Sequence, residues 1–215
     1  MGEQHGTGAT RDINSMQDAD ADALAGYYDD WSASYDTDLA DLGYEAPARA
    51  VRLLAAHGVS PSGRILDACC GTGLVGAALN HAGYRRLSGF DVSQRSLAVA
   101  RQSGLYGDLI RQDMNETLAY PDSVFDAVMC IGSLTYATDR DRLFREFARV
   151  LRPGGIAVFT FRDDLWDAAF DRIHAGLEEA GVLRTRLKSD PQPYLPLHPD
   201  FADRIRIRYG VFAAC

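Results

Sequence analysis

Between Arg64 and Phe161 the apolar residues fall into short runs, and the stretches between the runs repeat their apolar positions at helical spacing. Residues 64–69 (RILDAC), 87–92 (LSGFDV), 125–131 (FDAVMCI) and 156–161 each read as a strand, and another strand leads up to Asp113. The unbroken apolar character of 125–131 predicts a strand covered on both faces, as in a parallel sheet. Between these runs, 74–82 reads as a helix stopping at Gly83, and Ser93 is placed to cap a helix that runs to about Ser103. Asp139 opens another helix, in which Leu143, Phe144, Phe147, Val150 and Leu151 form a single apolar stripe that Pro153-Gly154-Gly155 ends. Trp166, Phe170, Ile173 and Leu177 mark the next helix.

The flanks follow other patterns. From Asp18 to Asp38 the chain is acidic and aromatic, and Tyr27, Tyr28, Trp31 and Tyr35 are spaced for one face of a helix. A second helix is predicted over 47–57, with Pro47 in its first turn and Gly58 at its end. Beyond Gly181 a strand over 182–187 is followed by a proline-rich loop (PQPYLPLHPD) and a strand over 204–212. In that last strand Ile205, Ile207, Tyr209 and Val211 alternate with Arg204, Arg206 and Arg208, so one face is apolar and one polar. Five βα units followed by two strands with no helix between them predict an α/β, Rossmann-like seven-stranded sheet. It is mostly parallel, ends in an antiparallel C-terminal hairpin, and carries helices on both faces. Residues 1–17 are expected to be a disordered tail. Residues 18–215 are expected to form one domain, with 18–60 as a helical lid.

Composition narrows the possible functions. With 215 residues and 47% hydrophobic content the chain can bury one sizeable core. A net charge of −8 opposes duplex nucleic-acid binding and docking on anionic membrane. The N-terminal residues are polar and no run reaches membrane-spanning length, so the cytoplasm is the expected location. Cys69, Cys70, Cys130 and Cys215 show no paired CxxC spacing, which predicts neither a metal site nor a disulfide framework and suits a reducing compartment. The expected state is a monomer or homodimer acting on a small molecule.

The chemistry concentrates in ILDACCGTGLVG, residues 65–76. Gly71, Gly73 and Gly76 form G-x-G-x-x-G between a strand and a helix, and Asp91 ends the next strand. Glycines there let backbone approach a ligand, and the acid is placed for ribose hydroxyls, so a nucleotide-like cofactor is expected. Asp67 distinguishes between cofactors. A pyrophosphate beside it would meet a carboxylate, a repulsion of roughly 4 kcal/mol at ~4 Å and an effective dielectric of about 20. A phosphate-free cation suits it better.

These residues resemble the class I methyltransferase family, with the likeness running from about Tyr27 to the C-terminus. DACCGTG is similar to the family's first motif, Asp91 in GFDVS to its second acid, and Asp113 in RQDMNE to its third. FDAVMCIGSLTY resembles the fourth motif and VLRPGGIAVFTFR the strand that follows it. The closest likeness is to methyltransferase-like proteins of the Williams–Beuren syndrome region type, through YYDDWSASYD, LGYEAP and DACCGTGLVG. The resemblance implies S-adenosylmethionine as cofactor and S-adenosylhomocysteine as product. It implies cofactor contacts from Tyr28, Tyr35, Asp67, Ala68, Gly71, Gly73, Asp91, Val92, Asp113, Met114 and Ile131, with Met114 packed on the adenine. At 130–136 the chain has Cys-Ile-Gly-Ser-Leu-Thr-Tyr where some members of the family carry an Asp/Asn-Pro-Pro-aromatic motif that orients amines.

Methyl transfer from a sulfonium needs alignment and exclusion of water above all, and needs a base only when the acceptor carries a proton at the reacting atom. No residue stands out as that base. His57, His81 and His174 are scattered, which leaves His198 in the proline-rich loop and Tyr136 after the fourth strand as candidates. Asp139 reads as a helix cap. Trp31, Tyr136, Arg162, Trp166 and Tyr194 are the candidate walls of the acceptor pocket. Two alternatives stand beside this reading: an NAD-type dehydrogenase using the same loop, and a non-catalytic binding module with the same fold.

Overall fold

The computed structural model describes Met16, residues 19–200, Ala202 and residues 204–215. The expected tail at 1–17 therefore lies outside the described residues, except for Met16. The chain opens with three helices: α1 (Ala21–Trp31), α2 (Tyr35–Asp41) and α3 (Ala46–Ala56). The alternating part follows as β1 (Arg64–Ala68), α4 (Leu74–His81), β2 (Arg86–Asp91), α5 (Gln94–Gln102), β3 (Tyr106–Arg111), β4 (Phe125–Cys130), α6 (Arg140–Val150), β5 (Leu151–Arg162) and α7 (Ala168–Glu179). It closes with β6 (Leu183–Lys188), the two-residue β7 (Gln192–Pro193) and β8 (Arg206–Ala214).

The strands lie in the order β3-β2-β1-β4-β5-β8-β6, with β7 added against β8. Neighbours from β3 to β5 pair in parallel, whereas β8 runs antiparallel to both β5 and β6. This is the α/β architecture the pattern predicts, with seven strands on the main path. The eighth, β7, falls in the proline-rich loop, where Gln192↔Ile207 and Pro193↔Arg206 pair at the edge.

A period of two sorts the strand side chains onto two faces. Leu66, Ala68, Val128, Cys130, Ala157, Phe159, Phe161 and Phe212 point to the side covered by α6 and α7. Ile65, Ala127, Met129, Val158, Tyr209 and Val211 point to the side covered by α3 and α4. The last strand thus presents apolar residues to both faces from Tyr209 onward. The one-sided alternation read from its arginines holds only at its start.

Two boundaries differ from the sequence reading. The acidic aromatic segment is two helices, because the chain turns at residues 32–34. The Ser32 hydroxyl donates back to the Asp29 carbonyl (2.8 Å), and Trp31 Nε1 donates to Asp38 Oδ2 (2.7 Å) across the break. The second difference is at β5, which begins directly at Leu151 and absorbs Pro153-Gly154-Gly155 as an irregularity in its pairing with β4.

α3 packs on the sheet, whereas α1 and α2, with Tyr44, Tyr194 and Leu195, cover the carboxyl ends of the strands. Trp31, Leu39 and Leu42 of this cover form a small core with Leu195 of the proline-rich loop. No helix among the described residues is long and apolar enough to cross a membrane.

Candidate active site

The strand order reverses direction between β1 and β4, and a sheet of this kind leaves a crevice at the carboxyl ends of those strands. Here the crevice is a cleft enclosing about 820 Å³, part of it open to solvent. Its floor is the loop between β1 and α4. Cys69, Gly71 and Gly73 all take left-handed backbone there (φ 58°, 53° and 102°), which folds the loop back so that Gly73 N donates to the Cys70 carbonyl. A Cβ at Gly71 would meet nothing within 4 Å, so this glycine borders open space. The other two glycines serve packing. A Cβ at Gly76 would lie 2.2 Å from the Tyr106 hydroxyl and one at Gly73 would lie 3.4 Å from that ring.

The acids of the strand ends divide in two. Asp91 lines the cleft, where Oδ2 accepts from Gly71 N (2.8 Å) and Oδ1 from Ser93 N (2.9 Å). Each oxygen keeps a lone pair for a further donor. Burial raises its pKa, partly offset by these backbone donors. Asp113 also lines the cleft and accepts from Asn115 N (2.9 Å) and Nδ2 (3.0 Å). Asp67 does neither. It is 1% exposed behind the glycine loop, and its Oδ2 accepts from the Tyr106 hydroxyl at 2.6 Å. Its Oδ1 has no hydrogen-bond partner among the described residues. Burial, only partly countered by Tyr106, pushes the Asp67 pKa up to about 7. The structure thus places Asp67, expected beside the cofactor, behind the loop and outside the cleft lining, with its carboxylate toward the protein interior. Ala68 is likewise buried at 0% and lies outside the lining.

The rest of the cleft joins residues far apart in the chain. Val92, Met114 and Ile131 come from the loops after β2, β3 and β4, and Tyr28 and Tyr35 come from the cover. Gly132, beside Ile131 in the fourth motif, lines it as well, and so do Tyr44, Thr72, Gln112 and Asn115, which sequence reasoning did not single out. Gln112 and Asn115 flank Asp113, so their neighbourhood was the only signal. Among the described residues, the lining includes no Lys or Arg.

The cover is fastened by carboxylates. Asp36 on α2 accepts from the Thr72 hydroxyl (2.5 Å), and Asp29 on α1 accepts from the Ser93 hydroxyl (2.6 Å) and Arg95 N (2.9 Å). Burial opposes ionisation of Asp29, but the Ser93 and Arg95 donors win and its pKa is lowered.

A second chamber adjoins the cleft and shares Tyr28, Tyr35, Gly132 and Tyr136 with it. Trp31, Arg162 and Tyr194 complete its candidate walls, together with Thr160, Phe161, Leu195 and Ile207. The Tyr28 and Tyr136 hydroxyls meet at 2.8 Å where the two spaces join. Gly132 (φ 85°) donates its N–H to Thr160 Oγ1 at 2.7 Å, and a Cβ there would stand 3.1 Å from the Tyr44 hydroxyl. Tyr28, Tyr35, Tyr136 and Tyr194 all have raised pKa values, chiefly through burial, and stay protonated at neutral pH.

Two sequence candidates lie elsewhere. Trp166 packs on the other face of the sheet, stacked 5.8 Å from Phe159, with Nε1 donating to Asp171. His198 is buried in the proline-rich loop, its Nδ1 accepting from Asp200 N at 3.1 Å, and it lines neither space. Trp166 shares its helical spacing with Phe170, Ile173 and Leu177, all of which pack in that core, and His198 N donates to the Leu195 carbonyl within its own loop.

Comparison with known proteins agrees with this geometry. Residues 65–155 match the family model described as a methyltransferase domain. The chain is 37% identical over 167 residues to human methyltransferase-like protein 27, covering 73% of this chain and 66% of that protein. It is 38% identical over 119 residues to methyltransferase GfsG of Streptomyces halstedii, covering 52% of this chain and 43% of that protein. The chain thus spans less than two thirds of either relative's length. In fold it is similar to the crystal structure of an S-adenosylmethionine-dependent methyltransferase from Mesorhizobium loti. The TM-score is 0.59 at 21% identity, covering 75% of this chain and 96% of that one.

Proposed function

We propose that this chain, which has the fold of the class I S-adenosylmethionine-dependent methyltransferases, transfers a methyl group from S-adenosylmethionine to a small-molecule acceptor. One observation carries the reading: a cleft at the strand ends that contains Asp91 and Asp113 but, among the described residues, no cationic side chain. A dinucleotide brings a pyrophosphate, which calls for donors and positive charge. This lining instead suits a nucleoside with hydroxyls and a positive centre. The dehydrogenase alternative has no support in the lining or in the relatives.

S-adenosylmethionine, when bound, supplies an activated methyl group on a sulfonium. The chain's own residues do the rest. Asp91 accepts ribose hydroxyls. Asp113 and Met114 hold the base. Gly71 lets the backbone approach. Tyr28 and Tyr35 close the cleft from above, where their electron-rich rings favour a cation. Tyr136 stands at the passage to the second chamber, which holds the acceptor, and the aromatic walls exclude water. A finer grouping with methyltransferase-like proteins of the Williams–Beuren syndrome region type rests on YYDDWSASYD, whose aromatics build the cover, and on DACCGTGLVG, which builds the floor.

Thermal-shift and calorimetric titrations test the reading. S-adenosylhomocysteine is expected to stabilise the protein and NAD to leave it unchanged. Asp91→Ala is expected to weaken S-adenosylhomocysteine binding by roughly 1.5–3 kcal/mol, the scale for hydrogen bonds to a charged group. Stabilisation by NAD alone would overturn the proposal. Cofactor binding without transfer to any acceptor in a metabolite extract would favour the non-catalytic module.

A further inference from the structure

We propose that Asn115 is a positioning residue that presets Asp113 for the base of the cofactor, so that the cleft selects an exocyclic amine over an oxygen at that edge. This rests on the methyltransferase reading above, in which Asp113 meets the base.

Asp113 uses its two oxygens unequally. Oδ1 accepts from Asn115 N (2.9 Å) and from Asn115 Nδ2 (3.0 Å), whereas Oδ2 has no hydrogen-bond partner among the described residues. Asp113 and Asn115 both line the cleft. With two donors on Oδ1, the oxygen left for a ligand is Oδ2. Turning the carboxyl group would break both bonds, so its plane is set before a ligand arrives.

The amide of Asn115 is itself held in one sense. Its Oδ1 accepts from Thr138 N (2.8 Å) and from Thr138 Oγ1 (3.0 Å). An amide turned end for end would set its NH2 group against the Thr138 N–H. Nδ2 therefore faces Asp113 and, at 3.3 Å, the Tyr136 carbonyl. The Arg142 guanidinium donates to the Asn115 carbonyl and ties its backbone to α6. The loop after β4 thus decides how an acid after β3 is presented, and the same loop carries Tyr136 to the passage between the two spaces.

An exocyclic amine donates to an acceptor preset in this way. A base with an oxygen at the same place would bring two acceptors together, and a site built around one hydrogen bond discriminates against a ligand that lacks it. Adenine carries the amine and hypoxanthine the oxygen. A residue that only supported the loop would change the affinity for both bases alike. One that positions Asp113 changes their ratio.

The test is calorimetric titration of the full chain with S-adenosylhomocysteine and with S-inosylhomocysteine, its analogue with oxygen in place of the amine. The wild-type protein is expected to bind the first at least about tenfold more tightly. Asn115→Ala should cut that ratio to within about threefold, through lost affinity for S-adenosylhomocysteine and little change for the analogue. Asn115→Asp keeps the size of the side chain and the donors from Thr138 but has no Nδ2 to give Asp113. It should do the same, and it carries the test if the alanine variant fails to fold. In an Asp113→Asn background, Asn115→Ala should leave the ratio where Asp113→Asn alone puts it, because Asn115 acts through that carboxyl group. No preference in the wild-type protein, an unchanged ratio in a folded Asn115 variant, equal losses for the two ligands, or effects at the two positions that add overturns the inference and leaves cofactor binding standing. Failure of S-adenosylhomocysteine to bind the wild-type protein is a different result and removes the methyltransferase reading itself.

Discussion

The Tyr106 hydroxyl donates to Asp67 Oδ2 at 2.6 Å, joining the end of β1 to the start of β3 beneath the glycine loop. The contact explains two things at once: why the third glycine of the motif has no room for a side chain, and why the acid before the motif is not among the residues that line the cleft.

The first prediction concerns pH. The Asp67 pKa is pushed from an ordinary value to about 7 in the folded protein by burial. A carboxyl raised in this way binds its proton more tightly when folded. Its contribution to stability is complete below about pH 4 and is lost as pH rises through 7. Urea denaturation at pH 4.5 and 7.5 is expected to show wild type losing about 3 kcal/mol relative to Asp67→Asn over that interval. A difference between the two proteins that does not change with pH would count against it.

His174 should behave oppositely. It sits among Phe144, Phe170 and Phe212 with no partner for Nε2 among the described residues, and burial lowers its pKa to about 4. Its neutral form stabilises the fold fully above about pH 6.5, and that stability is lost as pH falls through 4. His174→Phe is expected to gain about 2–3 kcal/mol on wild type between pH 7 and 4, read from denaturation midpoints. Parallel acid curves for the two proteins would sink this assignment.

The glycines should separate stability from binding. Gly76→Ala drives a methyl group to 2.2 Å from a tyrosine hydroxyl already held by Asp67. Overpacking of this kind costs about 1–3 kcal/mol. Gly71→Ala meets no atom within 4 Å and pays only for its left-handed backbone, about 1–2 kcal/mol. Its methyl reaches the open space of the cleft. Calorimetry should therefore show a larger loss of S-adenosylhomocysteine affinity for Gly71→Ala, and denaturation a larger loss of stability for Gly76→Ala.

The cover should be held by its carboxylate latches. Asp36→Asn and Asp29→Asn weaken the contacts to Thr72 and Ser93, each worth about 0.5–1.5 kcal/mol at a half-exposed rim. Stopped-flow fluorescence, with Trp31 in the cover as reporter, is expected to show severalfold faster release of S-adenosylhomocysteine and little change in global stability. Unchanged release in both variants would mean that α1 and α2 do not gate the cleft.

Much of this protein was written in local pattern. The apolar runs and helical stripes gave the alternation of β1 to α7, and caps such as Ser93 and Asp139 marked helix starts that the structure keeps. Asp91, named from its place at a strand end, and Asp113, Met114 and Ile131, named from the resemblance, all line the cleft, because each ends or shortly follows a strand and strand ends in this sheet converge on one crevice. Tertiary structure decided what spacing cannot encode. It turned Asp67 inward, because Tyr106, 39 residues away, takes its proton-accepting oxygen. It sent Trp166 to the far face of the sheet and buried His198 in its own loop. It also brought Tyr28 to Tyr136 across 108 residues to form the passage between two chambers. Periodicity fixes which way a side chain faces along its own element. Which atoms share a site depends on how distant elements pack, and a carboxylate's charge depends on the burial and the donors that packing gives it.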